Sequence, residues 1–314
     1  MGFFLQTYVV FSAFNRASSL PLLQSLKSFP ELKIVCLTAR CYRKQWSKYG
    51  ITTYNTFLNP MSVFSKFLRY TLRKNSWMLK TNKVKEIIFN NRLLRDAIVV
   101  PHNLRHFLAL EMLQKMDPED YVFLVDSRDL IFQESPTEIV KKIVEIDMIQ
   151  LFDEGDYYFR NGANQDFASS SANREWLTQL LNGSKELESF ELKSRIINSG
   201  CISGKAKDIA KLLIETTHLI SKSNFGIAAL LDQAALNAVA YQSIRIKKLV
   251  CINKNGKLVL NMCGIVKGPV EVLNGKIQYK NVTIPIVHQF DRFGHYSSDV
   301  GLVLSRRDYK VQQD

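Results

Sequence analysis

Short apolar runs alternate with amphipathic stretches through most of this chain. Thr7–Phe11 (TYVVF) predicts a strand, Ser18–Ser28 a helix, Leu32–Leu37 (LKIVCL) a strand and Tyr42–Tyr49 a helix; Ile51–Tyr54 is a short third strand. This strand–helix alternation is the pattern of a parallel sheet with crossover connections. Asn103–Lys115 predicts a well-formed helix. Tyr121–Val125 (YVFLV) is five apolar residues rich in β-branched and aromatic types, the signature of a buried central strand. Pro136 opens a helix to about Val144, Ile146–Phe152 is a strand, and the polar stretch Phe159–Ser171 is a loop. Asn173–Asn182 is a helix, Ile196–Gly204 (IINSGCISG) a strand rich in small residues, and Asp208–Leu219 and Asp232–Tyr241 are helices. Beyond Tyr241 the texture changes to short strands with glycine turns: Ile244–Cys251, Lys257–Asn261, Val270–Leu273, Lys276–Tyr279 and Ile284–Val287. The class expected is α/β: a mixed, mainly parallel sheet flanked by helices, with a small β-rich C-terminal part.

Charge changes this picture. The 314 residues carry a net charge of +13, which favours an anionic partner. Much of the excess falls between Lys66 and Arg95, where Glu86 is the single acid and Phe64, Phe67, Leu68, Leu72, Trp77, Met78 and Leu79 interleave with the cations. This reads as one or two basic amphipathic helices in an insertion over about 60–98. It is either a docking face for an anionic membrane surface or a solvated helical face. The five cysteines, Cys36, Cys41, Cys201, Cys251 and Cys263, form no CxxC pair, which points to reduced thiols and a cytoplasmic setting. Gly2–Ala13 lacks a basic leader and falls short of the ~20 apolar residues of a membrane span. Gly2 lacks the Ser or Thr at position 6 of a myristoylation signal, and the sequons at Asn182 and Asn281 are read as chance matches.

Candidate chemistry centres on Asp126-Ser127-Arg128-Asp129, directly after the YVFLV strand. Ligands of open α/β sheets bind beyond the carboxyl ends of the strands. Two carboxylates there suit a hard divalent cation shared with phosphate oxygens; the plainer alternative is a solvated turn. Ser12–Arg16, after the first strand, holds no glycine-rich phosphate fingerprint, which argues against dinucleotide-binding and P-loop enzymes. Glycines in IINSGCISG allow close approach of a ligand. Asp232 sits where a helix dipole favours an acid. His288 is read as a metal ligand, a phosphate contact or a core histidine.

TYVVFSAFN, YVFLVDSRDLIFQESP, IINSGCISG, LLDQAALNAVAY and IVHQF, in this order over about residues 7–292, together resemble the nucleotide-sugar glycosyltransferases of the A-type (GT-A) fold. The resemblance implies a Rossmann-related domain, continuous but with a nucleotide-sugar-binding half (1–136) and an acceptor-binding half (137–314). It implies transfer of a sugar from a nucleoside diphosphate donor, expected to be UDP, to an acceptor hydroxyl in glycan synthesis, with Mn²⁺ or Mg²⁺ as cofactor; a lipid-linked or surface polysaccharide acceptor is expected from the basic amphipathic stretch alone. The metal set implied is Asp129, Asp126 and His288. Asp126 departs from the Asp-x-Asp spacing: either it reaches the metal through a distorted turn or a water, or it contacts the ribose while Ser127 fills the usual place. The donor set implied is Ser12, Ala13 and Phe14 beside the nucleoside, Arg105 on the diphosphate or the sugar, Asn198, Ser199 and Gly200 along the sugar, and Gln233 with Asp232 at the donor–acceptor junction, with Arg16, Asp126, Ser127 and Arg128 also counted as donor-binding. Asp232 is the first candidate for a general base, or a sugar-orienting group if the reaction retains configuration, with Glu154 second. No nucleic-acid partner is expected; contact with the inner membrane face is. The alternatives are a sugar-phosphate nucleotidylyltransferase, which needs a glycine-rich, arginine-bearing loop absent from Ser12–Arg16, and a non-enzymatic basic protein that binds nucleic acid or membrane.

Overall fold

The structure, a computed structural model, describes residues 6–14, 20–47, 49–56, 59–75, 79–143, 145–157, 168–181, 195–227, 229–262 and 270–290. The strands in chain order are β1 (Thr7–Ala13), β2 (Lys33–Ala39), β3 (Thr52–Thr56), β4 (Tyr121–Val125), β5 (Leu130–Phe132), β6 (Ile149–Tyr157), β7 (Arg195–Lys205), β8 (Val250–Asn253), β9 (Val259–Asn261), β10 (Val270–Leu273), β11 (Lys276–Tyr279), β12 (Val282–Thr283) and β13 (Ile286–His288). The helices are α1 (Leu20–Leu26), α2 (Arg43–Ser47), α3 (Val63–Lys74), α4 (Asn82–Asn90), α5 (Arg92–Ile98), α6 (Pro101–Leu113), α7 (Pro136–Lys142), α8 (Ala168–Leu180), α9 (Ala206–Lys222), α10 (Asp232–Gln242) and α11 (Ile244–Lys247).

The central sheet has seven strands in the order β3-β2-β1-β4-β7-β6-β8. The first four run parallel, β7 is antiparallel to both its neighbours, and β8 is parallel to β6, so β7 alone opposes the common direction. Strands buried on both faces need apolar residues at successive positions, and β4 is buried at all five. Val122 and Leu124 enter one core with Leu104 and Leu108 of α6, Leu212 of α9 and Leu236 of α10. Tyr121, Phe123 and Val125 enter the other with Leu22 of α1, Trp46 of α2 and Ile139 of α7.

Two three-stranded sheets complete the fold: β5-β13-β9 and β10-β11-β12. β13 pairs antiparallel with β5, placing His288 opposite Leu130, and parallel with β9, placing His288 opposite Asn261. The Gln133 side chain ties the two sheets, donating to the carbonyls of Ile277 and Ile284 and accepting from the Ile277 amide.

Four expectations change. Ile244–Cys251 is not one strand: Ser243 accepts a hydrogen bond from the Ile246 amide and caps the turn α11, so β8 starts only at Val250. Helix α8 starts at Ala168, inside the expected loop; Ala is the best helix former and Ser costs only a fraction of a kcal/mol. Residues 145–147 form a turn, and β6 starts at Ile149. The basic insertion holds three described helices, α3, α4 and α5; Ser62 and Asn91 cap the first and third through the amides of Ser65 and Leu94.

Candidate active site

The turn Asp126–Asp129 links β4 to β5 at the carboxyl edge of the central sheet. Because β7 runs the other way, its N-terminal half, Ile197–Gly200, lies along this same edge: Val125 pairs with Cys201, and the Asp126 amide donates to the Gly200 carbonyl at 2.8 Å. On the other side, the Gln289 amide donates to the Asp129 carbonyl at 2.6 Å, with Gln289 at φ 64° as the chain leaves β13. Strand pairing thus brings His288 to the turn. Its Nε2 lies 3.5 Å from Asp126 Oδ2 and 3.4 Å from Asp129 Oδ1. One ligand atom from each of the three lies within 4.8 Å of the others.

The tautomer of His288 follows from its partner. Asn261 Nδ2 donates to the Asp153 carbonyl at 2.8 Å, which turns Asn261 Oδ1 toward His288 Nδ1 at 2.8 Å. An amide oxygen only accepts, so Nδ1 carries a proton, and in the neutral imidazole Nε2 is the nitrogen that presents a lone pair. Nε2 is buried and has no hydrogen-bond partner. A buried, unpartnered imidazole lone pair facing two carboxylates, with its other nitrogen fixed by an amide, fits a divalent cation. The set of two oxygens and one imidazole nitrogen is of a kind that suits Mn²⁺ or Mg²⁺ together with oxygens of a substrate. Gly200 leaves the room: a Cβ there would lie 2.4 Å from His288 Cε1 and 2.7 Å from Asp126 Oδ2.

Beside this cluster runs a buried polar network. Arg105, on the second turn of α6, bonds Asp126 Oδ1 through Nη1. Through Nη2 it reaches Asp232 Oδ2 at 2.7 Å, Ser199 Oγ at 3.0 Å and the Ser199 carbonyl at 3.2 Å. Gln233 Oε1 accepts from the Ser199 amide at 3.1 Å, and its Nε2 donates to Asn173 Oδ1 at 2.6 Å and Glu154 Oε1 at 3.2 Å. Glu154 also accepts from Asn198 Nδ2 at 2.7 Å and Asn173 Nδ2 at 3.4 Å. Asn198 Oδ1 in turn receives the Gly200 amide at 2.6 Å.

Burial alone would raise the Asp232 carboxyl, but the Arg105 guanidinium, with His106 and His102, outweighs it and holds Asp232 well below the usual carboxylate range. His106 is fully buried, 3.9 Å from Asp232, and both its ring nitrogens lack a hydrogen-bond partner. Desolvation holds its pKa below the ordinary histidine value.

The structure therefore gathers Asp126, Asp129, His288, Arg105, Asn198, Ser199, Gly200, Asp232, Gln233 and Glu154 into one region built from β4, β6, β7, β13, α6 and α10. Ser127 is buried in the turn and Arg128 is exposed. Ser12 and Ala13 end β1, the neighbour of β4 in the central sheet, and Phe14 follows it; Ala13 and Phe14 turn their side chains into the two cores and Ser12 is half-buried. Arg16 lies outside the described residues. Sequence reasoning passed over Asn173, Asn261 and the role of His106. Amide side chains at helix and strand ends look like solvated polar positions, and only the backbone register shows that Asn261 and His288 are neighbours.

No protein-family model and no curated protein sequence matches the chain. Among solved structures, the galactosyltransferase LgtC, crystallised with donor and acceptor sugar analogues, matches 97% of this chain and 99% of its own, at 12% identity and a TM-score of 0.46.

Proposed function

We propose that this chain is a metal-dependent glycosyltransferase that moves a sugar from a nucleoside diphosphate donor, a UDP-sugar, to an acceptor hydroxyl. The observation that carries the reading is the unpartnered Nε2 of His288 facing Asp126 and Asp129. It is supported by four of the segments that resemble the A-type glycosyltransferases: their Asp126, Asp129, Ser199, Asp232 and His288 lie in one connected cluster.

In this reading Asp126, Asp129 and His288 hold Mn²⁺ or Mg²⁺, which when bound neutralises charge developing on the departing diphosphate. Arg105 is clamped by Asp126, Asp232 and Ser199, so its cationic plane is fixed beside the donor before the donor arrives; such preorganisation avoids reorganisation cost during the reaction. Asn198, Ser199 and Gly200 border the sugar. Asp232 is a weak proton acceptor while Arg105 holds it ionised, and the Glu154 oxygens are already engaged by three side-chain amides. In this reading both act by orienting the groups that border the sugar: Asp232 through Arg105 and Ser199, Glu154 through Asn198 and Gln233. This makes Asp232 an orienting group more readily than a general base.

The test is calorimetric titration of UDP, GDP and CMP with and without Mn²⁺, on the wild type and on Asp129→Ala. UDP binding that needs Mn²⁺ and is lost in the variant is the expected result. Absence of nucleotide binding under every condition would remove the reading.

A further inference from the structure

The helices over 60–98 are not needed to build the candidate active site, and their surface is unusual. One side of α3 packs inward: Ser65 is buried, and Leu68 and Leu72 lie against the main core. Arg69 fixes the helix by donating to the carbonyls of Pro60 at 2.7 Å and Ala97 at 3.3 Å. The opposite side is apolar and exposed. Val63 is 85% exposed, Phe64 60%, Phe67 62% and Tyr70 56%. At 3.6 residues per turn these four occupy about a third of the helix circumference, so they form one stripe. A helix with one apolar face against its own core and a second turned outward has surface for a partner.

The charge around the stripe says which partner. Residues 60–98 contain nine cations and two acids. Some are used internally: Lys85 is buried against the Lys222 carbonyl, Arg95 pairs with Glu111, and Arg92 pairs with the same acid. Lys66, Lys74, Lys80 and Lys83 are exposed. Lys74 stands 5.0 Å over the Tyr70 ring, within the apolar stripe itself. Aromatic side chains interleaved with lysines on one exposed face match a surface that is apolar beneath and anionic on top, a combination that an acidic lipid headgroup layer provides. Among the described residues no helix is long and apolar enough to cross a membrane, so the contact would lie in the interface plane.

We propose that α3 is a docking helix for anionic lipid surfaces, inserting Val63, Phe64, Phe67 and Tyr70 between headgroups while Lys66 and Lys74 meet the phosphates. The position of α3 gives this docking a direction. Arg69 ties it to Ala97, four residues before α6 begins at Pro101, and α6 carries Arg105. Docking would hold the carboxyl edge of the sheet close to the bilayer surface. The inference does not rest on the transferase reading, and neither test depends on the other.

The experiment is vesicle flotation with phosphatidylcholine alone and with phosphatidylcholine–phosphatidylglycerol mixtures, using the full chain, Phe64→Ser/Phe67→Ser and Lys66→Glu/Lys74→Glu. All substituted side chains are exposed, so melting curves and Mn²⁺ binding should match the wild type. The wild type should float with anionic vesicles only, less so as salt rises, and each double variant should bind at least about tenfold more weakly. Failure to bind anionic vesicles, or binding unchanged in both variants, overturns the proposal. A wild-type dimer in light scattering that Phe64→Ser/Phe67→Ser dissolves would assign the stripe to a second copy instead. RNA binding in a gel shift that is sensitive to the lysines but indifferent to the phenylalanines, without flotation, would assign the charge to nucleic acid.

Discussion

At the scale of single residues, the cluster depends on a side chain that would never contact the cation. Without the Asn261 amide oxygen, Nδ1 of His288 has no acceptor, and the imidazole is free to choose the other tautomer or rotate. Partners of metal-bound imidazoles typically contribute tenfold or more to affinity. Asn261→Leu should therefore weaken Mn²⁺ binding by about 10- to 100-fold with the three ligands intact, as read by electron paramagnetic resonance of free Mn²⁺. Unchanged affinity would show that His288 does not ligate through an amide-fixed Nε2. This dependence was invisible in the sequence. Asp126, Asp129 and His288 could each be singled out because they follow apolar runs, whereas Asn261 is one polar residue at a strand end, 27 positions from the histidine it orients.

At the scale of elements, the reversed strand β7 matters most. A strand parallel to its neighbours would bring its C-terminal end to the site; β7 brings Asn198-Ser199-Gly200 from its N-terminal half and lays backbone against the Asp126 turn. Gly200→Ala would force a methyl group within 2.4–2.7 Å of His288 and Asp126. The expected result is a loss of about 1–3 kcal/mol from overpacking together with weaker Mn²⁺ binding, checked by denaturant titration and the same resonance assay. Wild-type affinity in this variant would mean that His288 swings away when the cation binds.

The elements themselves were legible to different degrees. The YVFLV strand, α6, α9 and α10 are long or strongly patterned, and the sequence predicts them within a few residues. Ile244–Lys247 was misleading: its β-branched alternation suggests a strand, but a serine cap closes a helical turn over so few residues that periodicity cannot report it. The glycines of IINSGCISG predict close approach to a ligand; that the approach is to the protein's own histidine required the fold.

For the whole molecule, the buried ionisable groups set the response to acid. His106 has its pKa lowered by burial, so the unfolded chain binds its proton first. Its contribution is present above the unfolded histidine value of about 6.5 and is lost as pH falls from there toward the folded value. Asp232 is also depressed; its contribution is present above the unfolded value of about 3.9 and lost as pH falls further toward the folded one. Stability should thus decline in two stages, and His106→Gln should flatten the first. Denaturant titrations between pH 7 and pH 5 that give the same slope for both proteins would show that folding does not lower the pKa of His106.

The route by which His288 reaches Asp129 has a consequence for biosynthesis. The partners lie 159 positions apart, joined only when β13 adds to β5. Closing so long a span costs little more than closing a short one, because the entropic term grows only logarithmically with length. What it does impose is order in time. Until residue 288 has been made, Asp126 and Asp129 lack their imidazole neighbour. If the cluster holds a divalent cation, as proposed above, its full ligand set exists only once β13 has emerged, and loading would be a late event that reports on completed folding.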